Sequence, residues 1–282
     1  MKTRLPAQAG AFYADNEGEL RTQIHKCFLD PLGPGFIPSV PTEKNEDLVG
    51  LVVPHAGYMY SGPVAAHSYY QLALAGPRQS IVILGPNHTG RGSGVSTMTS
   101  GEWSTPLGEV KVDSDLAQKI VKNSGLVDVE EEAHRYEHSI EVQLPFLQFI
   151  YPRRFRFVPI CTMLQDLETS KEVGEAVARA TAESDAVIIA SSDWTHYEPH
   201  EKAIMKDKQA LQAALEMDPK KFQATIKEKR ISACGYGPVT ALIHASKILG
   251  AKNAQLLSYK TSGDVTGDKT TVVGYAAMTF TK

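Results

Sequence analysis

Unbroken apolar segments of strand length, with no alternating polar positions, occur three times in the 282-residue chain. They cover Leu51–Val53, Ile81–Leu84 and Ala186–Ala190. Strands buried on both faces have this pattern, which is how parallel strands in α/β proteins look. A short loop and then a histidine follow each segment, at His55, His88 and His196. If the strands are parallel in one sheet, all three histidines lie at its carboxyl edge, where open α/β sheets bind ligands.

Helical signals alternate with these strands. The expected helices cover about 16–29, 64–74, 139–150 and 166–182, with a further, interrupted helical region at 201–249. Pro63 is expected in the first turn of the second helix, and Pro145 is expected to kink the third. Further strands are expected at 155–160, 254–259 and 270–280. This alternation predicts an α/β fold: a single-domain sandwich over residues 1–282, with a largely parallel central sheet flanked by helices.

The composition is that of an ordinary globular protein, with 42% hydrophobic and 22% charged residues. A net charge of −3 gives no support for binding to nucleic acid or to a membrane surface. No apolar segment approaches the roughly 18 residues that a membrane-spanning helix needs. The three cysteines are too few and too widely spaced for a disulfide framework. We therefore expect a cytoplasmic protein with reduced thiols.

The histidines at the predicted sheet edge indicate a metal site. Neutral imidazole is a ligand for zinc, copper, nickel and iron, and thiolate favours zinc, Cu(I) or iron. His55 and His88 lie in tight turns directly after buried strands, which restricts their orientation. Cys234 precedes a Gly-Tyr-Gly-Pro segment that begins a helix near Val239. The helix dipole is expected to favour its thiolate, either as a nucleophile or as a ligand.

Several other residues are candidates for the same site. Asp193 could ligate a metal, orient a histidine or cap a turn, and His196 could act as a general acid or base. His138 and Glu141 are three residues apart at an expected helix start, so they share a face and either line a pocket or form a capping arrangement. Cys161 follows the strand at 155–160 and either approaches the rim or is a buried core thiol.

Five separated motifs resemble those of one family. They are Val53–Tyr58, Leu84–His88, His138–Glu141, Ser191–His196 and Cys234-Gly235, and the segment Arg4–Tyr13 adds to them. Together they look like the Memo family, named for a mediator of receptor-driven cell motility, and they span nearly the whole chain. The Memo fold is similar to that of the class III extradiol dioxygenases, which are non-haem iron enzymes. The resemblance therefore implies an α/β sandwich with a metal site at one rim.

The resemblance also implies roles for particular residues. His55, His88 and Cys234 would be the metal ligands, and His196 would be the catalytic acid or base, with Asp193 beside it. In the dioxygenases the third ligand is a carboxylate, which completes the two-histidine, one-carboxylate triad of Fe(II) oxygenases. A cysteine stands at that position in this chain, as it does in Memo proteins. Memo proteins are linked to copper or iron redox chemistry and to phosphotyrosine peptides.

Three functional hypotheses follow. The first is an oxidoreductase similar to a dioxygenase, which holds Fe(II) or copper and acts on a small molecule. The second is a module that binds a peptide or a small anionic ligand in the same cleft without turnover. The third is a zinc hydrolase in which His196 or Glu141 serves as the base. The sequence leaves a homo-oligomer open.

Overall fold

The apolar segments form the centre of a large sheet in the computed structural model, which describes residues 2–152 and 155–282. The strands are β1 Thr3–Arg4, β2 Leu48–Val53, β3 Ser80–Pro86, β4 Val95–Thr97, β5 Glu102–Thr105, β6 Gly108–Val112, β7 Asp128–Val129, β8 Arg156–Thr162, β9 Ala186–Ser191, β10 His196–Glu198, β11 Asn253–Thr261 and β12 Val272–Thr281. The helices are α1 Glu17–Leu29, α2 Tyr58–Leu74, α3 Ser114–Asn123, α4 Leu144–Ile150, α5 Leu167–Thr181, α6 His200–Leu215, α7 Pro219–Glu228, α8 Tyr236–Ile248 and α9 Ser262–Thr266.

The strand order is β1-β5-β6-β8-β3-β9-β2-β12-β10, with β11 paired to β12 and the short β4 and β7 beside β8. The five central strands from β6 to β2 are parallel, whereas β12 and β10 continue the sheet in antiparallel fashion. The prediction of an α/β fold with a largely parallel central sheet is therefore confirmed. The carboxyl ends of β2, β3 and β9 consequently lie at one edge.

Helices cover the sheet. Helices α1, α2 and α4 pack together and contact β2 and β12 through α2, while α5, α7 and α8 pack together and contact β2, β3 and β9 through α8. Gly50 in β2 allows the close approach of α8, because a Cβ at this position would collide with Leu242. One hydrophobic core extends from Tyr13 to Phe280. No helix among the described residues is long and apolar enough to cross a membrane.

Two expectations about prolines were wrong. Helix α2 begins at Tyr58 rather than near residue 64, so Pro63 lies inside it. The helix expected at 139–150 is only α4, from Leu144, and Pro145 lies in its first turn instead of kinking it. A proline fits a first turn because that position needs no N–H donor. The segment before α4 is a short 3₁₀ turn at Glu141–Gln143, whose side chains are engaged in tertiary contacts.

Candidate metal centre

Three ligand-type side chains meet at the carboxyl edge of the central strands. His55 follows β2, His88 follows β3, and Cys234 stands two residues before α8. One ligand atom from each of these residues lies within 4.8 Å of those of the other two. The Nε2 atom of His55 is 3.1 Å from the Cys234 sulfur, and the rings of His55 and His88 are 5.2 Å apart. The chain therefore brings two imidazoles and a thiol to one point.

Asp193 ties the loops around this point together. Its Oδ1 accepts the backbone N–H of His55 at 2.8 Å, and its carbonyl oxygen accepts the N–H of Cys234 at 3.2 Å. Its own N–H donates to the Cys234 sulfur at 3.3 Å. Gly235 is required beside this loop, since a Cβ there would overlap the Ser191 carbonyl oxygen. Asp193 thus connects the β2 loop, the β9 loop and the start of α8.

The surroundings of His55 determine which of its ring nitrogens is free. The Ser191 hydroxyl donates to the Ser139 carbonyl at 2.7 Å and accepts from Gln143 Nε2 at 2.9 Å. Because its single proton is already used, the 2.8 Å contact to His55 Nδ1 requires that Nδ1 donates. The Nε2 lone pair of His55 then faces Cys234, which is the tautomer that a metal ligand needs. Burial, together with the nearby histidines, lowers the pKa of His55 and keeps it neutral.

Glu137 performs the same task for His88. This fully buried carboxylate accepts the His88 backbone N–H at 2.5 Å and lies 2.9 Å from its Nδ1. A carboxylate can only accept here, so Nδ1 donates and Nε2 keeps its lone pair. Burial acts to raise the pKa of Glu137, but the hydrogen bond and charge of His88 and the charge of His138 overcome it and hold the pKa at about 2. Glu137 therefore stays ionised beside the ligand that it orients.

His138 is a third imidazole at the rim. Its ring stacks on His88 at 4.5 Å and lies edge-on to His55 at 5.4 Å, with Phe12 on another side at 4.8 Å. Its ligand atom forms a second close group with those of His88 and Glu137. Burial lowers the pKa of His138 to about 4, against the opposing charge of Glu137. His138 is consequently a neutral, partly exposed wall of the centre.

Asp193 lies in the loop after β9, and His196 begins β10 directly after that loop. The His196 Nδ1 is 2.8 Å from the carbonyl oxygen of Ser232, and its backbone N–H donates to the Ser232 hydroxyl at 2.8 Å. Since a carbonyl can only accept, Nδ1 carries the proton and Nε2 can accept another. Burial raises the pKa of Asp193 to about 6, against the hydrogen bond from His55 and the charge of His196.

The thiol of Cys234 departs from the expected behaviour. Burial raises its pKa well above the usual value, and the charge of Asp193 raises it further. Desolvation therefore outweighs the helix dipole that was expected to favour the thiolate. A bound cation reverses this balance, because a coordinating thiol is deprotonated by the metal charge. The buried thiol is therefore compatible with metal ligation, in which the metal would supply the positive charge.

Two other predicted residues lie away from this centre. Glu141 is fully buried and accepts from Arg4 Nη1, from the backbone N–H groups of Ala7 and Gln8, and from the Tyr13 hydroxyl at 2.6 Å. We call this cluster of Arg4, Ala7, Gln8, Tyr13 and Glu141 the N-terminal anchor. The capping alternative was wrong, because no side chain caps the 3₁₀ turn that starts at Glu141. Glu141 is engaged in holding the N-terminal segment.

Cys161 is a core residue. It lies in β8 with no exposed surface, and its thiol is 3.9 Å from the Ala133 carbonyl oxygen. Burial raises its pKa well above the usual value. The structure therefore agrees with the core-thiol alternative.

The sequence reasoning missed three orienting residues, which are Glu137, Ser191 and Gln143. Glu137 had a visible signal, since it is a carboxylate directly beside His138 in a segment that also contains His134. Ser191 ends a buried strand, and Gln143 follows Glu141, so neither differs in sequence from a residue that simply satisfies backbone groups. We call the ligand-type residues His55, His88 and Cys234, together with Glu137 and Ser191, the metal rim.

The donor set fits a transition metal. Two imidazole lone pairs and one sulfur, all from rigid loops, match the preferences of iron, copper and zinc and differ from the oxygen-rich sites of magnesium or calcium. The fold and this rim define a layered α/β protein with a histidine- and cysteine-lined centre at the carboxyl edge of its sheet.

Comparison with known proteins gives the family. The model of the Memo family, described as "Memo-like protein", matches residues 4–279, and the chain therefore belongs to this family. A MEMO1 family protein from Methanopyrus kandleri is 50% identical over 98% of both chains, and one from Sulfurisphaera tokodaii is 48% identical over 98% of this chain and 99% of its own. The resemblance stated from the five motifs is confirmed.

A solved structure supports the fold. The crystal structure of an uncharacterized protein from Escherichia coli K12 matches with a TM-score of 0.57, covering 82% of this chain and 99% of its own. The two sequences are only 15% identical, so this likeness concerns the fold alone.

Proposed function

We propose that this Memo-family protein is a metal-dependent oxidoreductase of dioxygenase-like type, which holds Fe(II) or copper between His55, His88 and Cys234. The observation that carries the proposal is the tautomer control at the rim. Ser191 and Glu137 each accept a hydrogen bond from the Nδ1–H group of one histidine, which leaves both Nε2 lone pairs free, and the Nε2 of His55 lies 3.1 Å from the Cys234 sulfur. Histidines that only fill space have no need of such arranged partners.

When bound, iron or copper supplies one-electron chemistry that side chains lack. The protein's own residues supply orientation and proton transfer. Glu137 and Ser191 fix the ring planes, and the rings of His138 and Phe12 wall one side of the centre against water. His196 accepts or returns a proton at Nε2, because its Nδ1 is held by Ser232. Asp193 fixes the loops that carry the ligands.

The same donor set also suits zinc, since catalytic zinc sites have three protein ligands and one open position. We keep the zinc hydrolase as the second candidate for that reason. The choice between the two depends on which metal the rim selects and on the reaction that the loaded protein performs.

The first experiment measures metal content after anaerobic purification, by mass spectrometry. We expect about one iron or copper per chain in the wild type and a loss of most of it in His55→Ala and in Cys234→Ser. The matched controls are His25→Ala, an exposed histidine on α1, and Cys161→Ser, the core thiol. Unchanged metal content in both rim variants would overturn the proposal. One zinc per chain instead would favour the hydrolase.

The second experiment separates ligation from proton transfer. The variant His196→Gln keeps the three ligands, so we expect full metal content but a turnover lower by about 10²- to 10⁴-fold. Oxygen consumption with 4-nitrocatechol as the probe measures this turnover. Loss of metal in His196→Gln would show that His196 is a ligand and not the acid or base.

A further inference from the structure

A separate cavity lies at the opposite, amino edge of the sheet. Its volume is about 840 Å³, which is within the range of roughly 300–1,000 Å³ found for small-molecule sites. Its apolar lining consists of Val40, Pro41, Pro77, Ile150, Tyr151 and Pro152. Polar residues among its lining include Arg78, Arg156 and Asp185. Mostly apolar walls with a few polar groups are typical of a site for small ligands.

Arg78 is a buried cation, and few of its N–H groups have a hydrogen-bond acceptor among the described residues. The residue is 7% exposed, and its Nη2 donates to the Asn45 carbonyl. Its Nη1 is 3.6 Å from Asp185 Oδ1, too long for a hydrogen bond, and its Nε has no partner among the described residues. Since a guanidinium has five N–H donors, this burial is incompletely compensated. Arg78 is among the lining residues, so an anionic group bound in the cavity would add a charge partner beside this guanidinium.

Arg156 provides a second cation, and its side chain is only weakly held in its present position. Its side chain is half-exposed, and its Nε lies 3.7 Å from Asp113 Oδ2, an oxygen that already accepts the Ser80 hydroxyl. The contact is therefore an ion pair without a good hydrogen bond, and little holds the side chain in place.

Asp185 is the anion beside Arg78. Its Oδ1 also lies 3.2 Å from Lys44 Nζ, so Lys44 shares its charge with Arg78. Among the lining residues, Arg78 and Arg156 are cations and Asp185 is the anion, so the lining carries one excess positive charge, while Lys44 lies outside it. Asp113 and Glu46, which pair with Arg156 and Lys44, reduce that excess but lie outside the cavity lining.

We propose that this cavity binds an amphipathic monoanion, whose apolar body lies against the prolines and Tyr151 and whose carboxylate contacts Arg78 and Arg156. The site is separate from the metal rim. Ser80 begins β3 near the cavity and Pro86 ends it near His88, so the strand of seven residues puts about 20 Å between them. The inference does not depend on the proposed redox function.

The test is calorimetric titration of the whole protein with three probes of one chain length: decanoate, decanol and decyltrimethylammonium. We expect decanoate to bind with a stoichiometry of one, decanol to bind at least tenfold more weakly, and the cation not to bind. Equal binding of all three would mean apolar adsorption only and would overturn the proposal. Absence of decanoate binding would overturn it as well.

Two variants locate the site. Thr42→Trp places a large ring at an exposed position of the cavity wall and is expected to abolish decanoate binding, while Arg156→Gln is expected to weaken it about five- to tenfold. Arg135→Gln, an exposed arginine in a different part of the surface, is the matched control. Metal content should be unchanged in all three variants. Unaltered decanoate affinity in Thr42→Trp would place the binding elsewhere and overturn the proposal.

Discussion

Glu137 and Glu141 lie four residues apart, and neither has any exposed surface, but they serve different regions. Glu141 is the centre of the N-terminal anchor, where an arginine, a tyrosine and two backbone N–H groups all donate to it. Glu137 belongs to the metal rim, where it accepts from His88, His138 and Ser139. Both carboxylates are well satisfied by hydrogen bonds.

The two clusters differ in whether the groups that donate to the carboxylate keep an unused ligand atom. The groups that donate to Glu141 have no free lone pair for a metal, and Arg4 also donates to the backbone carbonyls of His134 and Glu137, so the anchor is structural. The histidine that meets Glu137 keeps a second ring nitrogen, and His88 belongs to one group of close ligand atoms with His55 and Cys234. A buried polar cluster thus indicates a binding site when its members leave unused ligand atoms directed at one point, rather than when it is merely buried and charged.

The largest effect should come from the anchor. In Glu141→Gln the guanidinium of Arg4 stays buried without its counter-charge, and breaking a buried pair costs about 3–5 kcal/mol. We therefore expect a loss of this size in the free energy of unfolding, measured with urea. Metal content of the folded protein should be retained, because the rim ligands do not contact Glu141.

The control for this variant is Glu132→Gln, which removes an exposed ion pair with Arg91 and should cost less than about 1 kcal/mol. If Glu141→Gln lost metal without losing stability, the assignment of the two regions would have to be exchanged.

The second effect concerns pH and His134, whose carbonyl oxygen accepts from Arg4 Nε. Burial lowers the pKa of His134 from 6.5 to about 4, against the charges of Glu130 and others. Between these values the unfolded chain binds a proton that the folded protein does not, so stability falls as the pH falls from 6.5 to 4 and levels off below. The total is on the order of 3 kcal/mol.

The variant His134→Phe should remove this part of the pH dependence. Neither ring nitrogen of His134 has a partner among the described residues, so an apolar ring of similar size is tolerated and can keep the edge-on contact with Trp103. Urea unfolding at pH 7 and pH 4.5 measures the change. An identical pH slope in wild type and variant would contradict the lowered pKa.

The third effect belongs to the rim. Glu137→Gln removes the charge that orients His88, and loss of such a partner typically weakens metal binding by 10- to 100-fold. Competition with a chelator measures the affinity for Fe(II). The control is Glu130→Gln, a carboxylate that also accepts backbone N–H groups but from Glu132 and Ala133, away from the ligands. A larger loss of affinity in the control would contradict the role of Glu137.

The sequence predicted the parts of the molecule that depend on local patterns. Unbroken apolar segments identified β2, β3 and β9, and the helices expected from about residues 16 and 166 correspond to α1 and α5, which Asn16 and Asp166 cap in the structure. The candidate ligands His55 and His88 were found because they directly follow those strands. The third candidate ligand, Cys234, came from the resemblance to the Memo family and not from the repeated pattern.

The rest depends on contacts between distant segments. Gln143 and Ser191 are 48 residues apart, and only the folded chain brings them together beneath His55. Glu141 looked like a capping residue because a local spacing was the only information, whereas its partners lie about 130 residues earlier. The prolines misled in the same way, because tertiary packing decided where α2 and α4 begin.

The smallest effect concerns backbone strain beside His196, at Tyr197. Tyr197 has a φ of 57° and lies at an irregularity in β10 between His196 and Glu198, both of which pair with β12. A left-handed conformation costs a non-glycine residue about 1–2 kcal/mol. Replacing the tyrosine by glycine removes this cost, but glycine loses more conformational entropy on folding, which destabilises the protein by about 0.5–1 kcal/mol. Tyr197→Gly should therefore stabilise the protein by up to about 1 kcal/mol in urea unfolding.

The control is Tyr136→Gly, an exposed tyrosine without a positive φ, which should destabilise instead. Strain at a functional position persists only when something else benefits from it. The ring of Tyr197 is 5.8 Å from that of His196, so the irregularity places an exposed aromatic ring beside the proposed acid or base. A more stable Tyr197→Gly protein with lower turnover would show that the strained conformation supports the function of His196. Destabilisation equal to that of Tyr136→Gly would show that the conformation carries no strain.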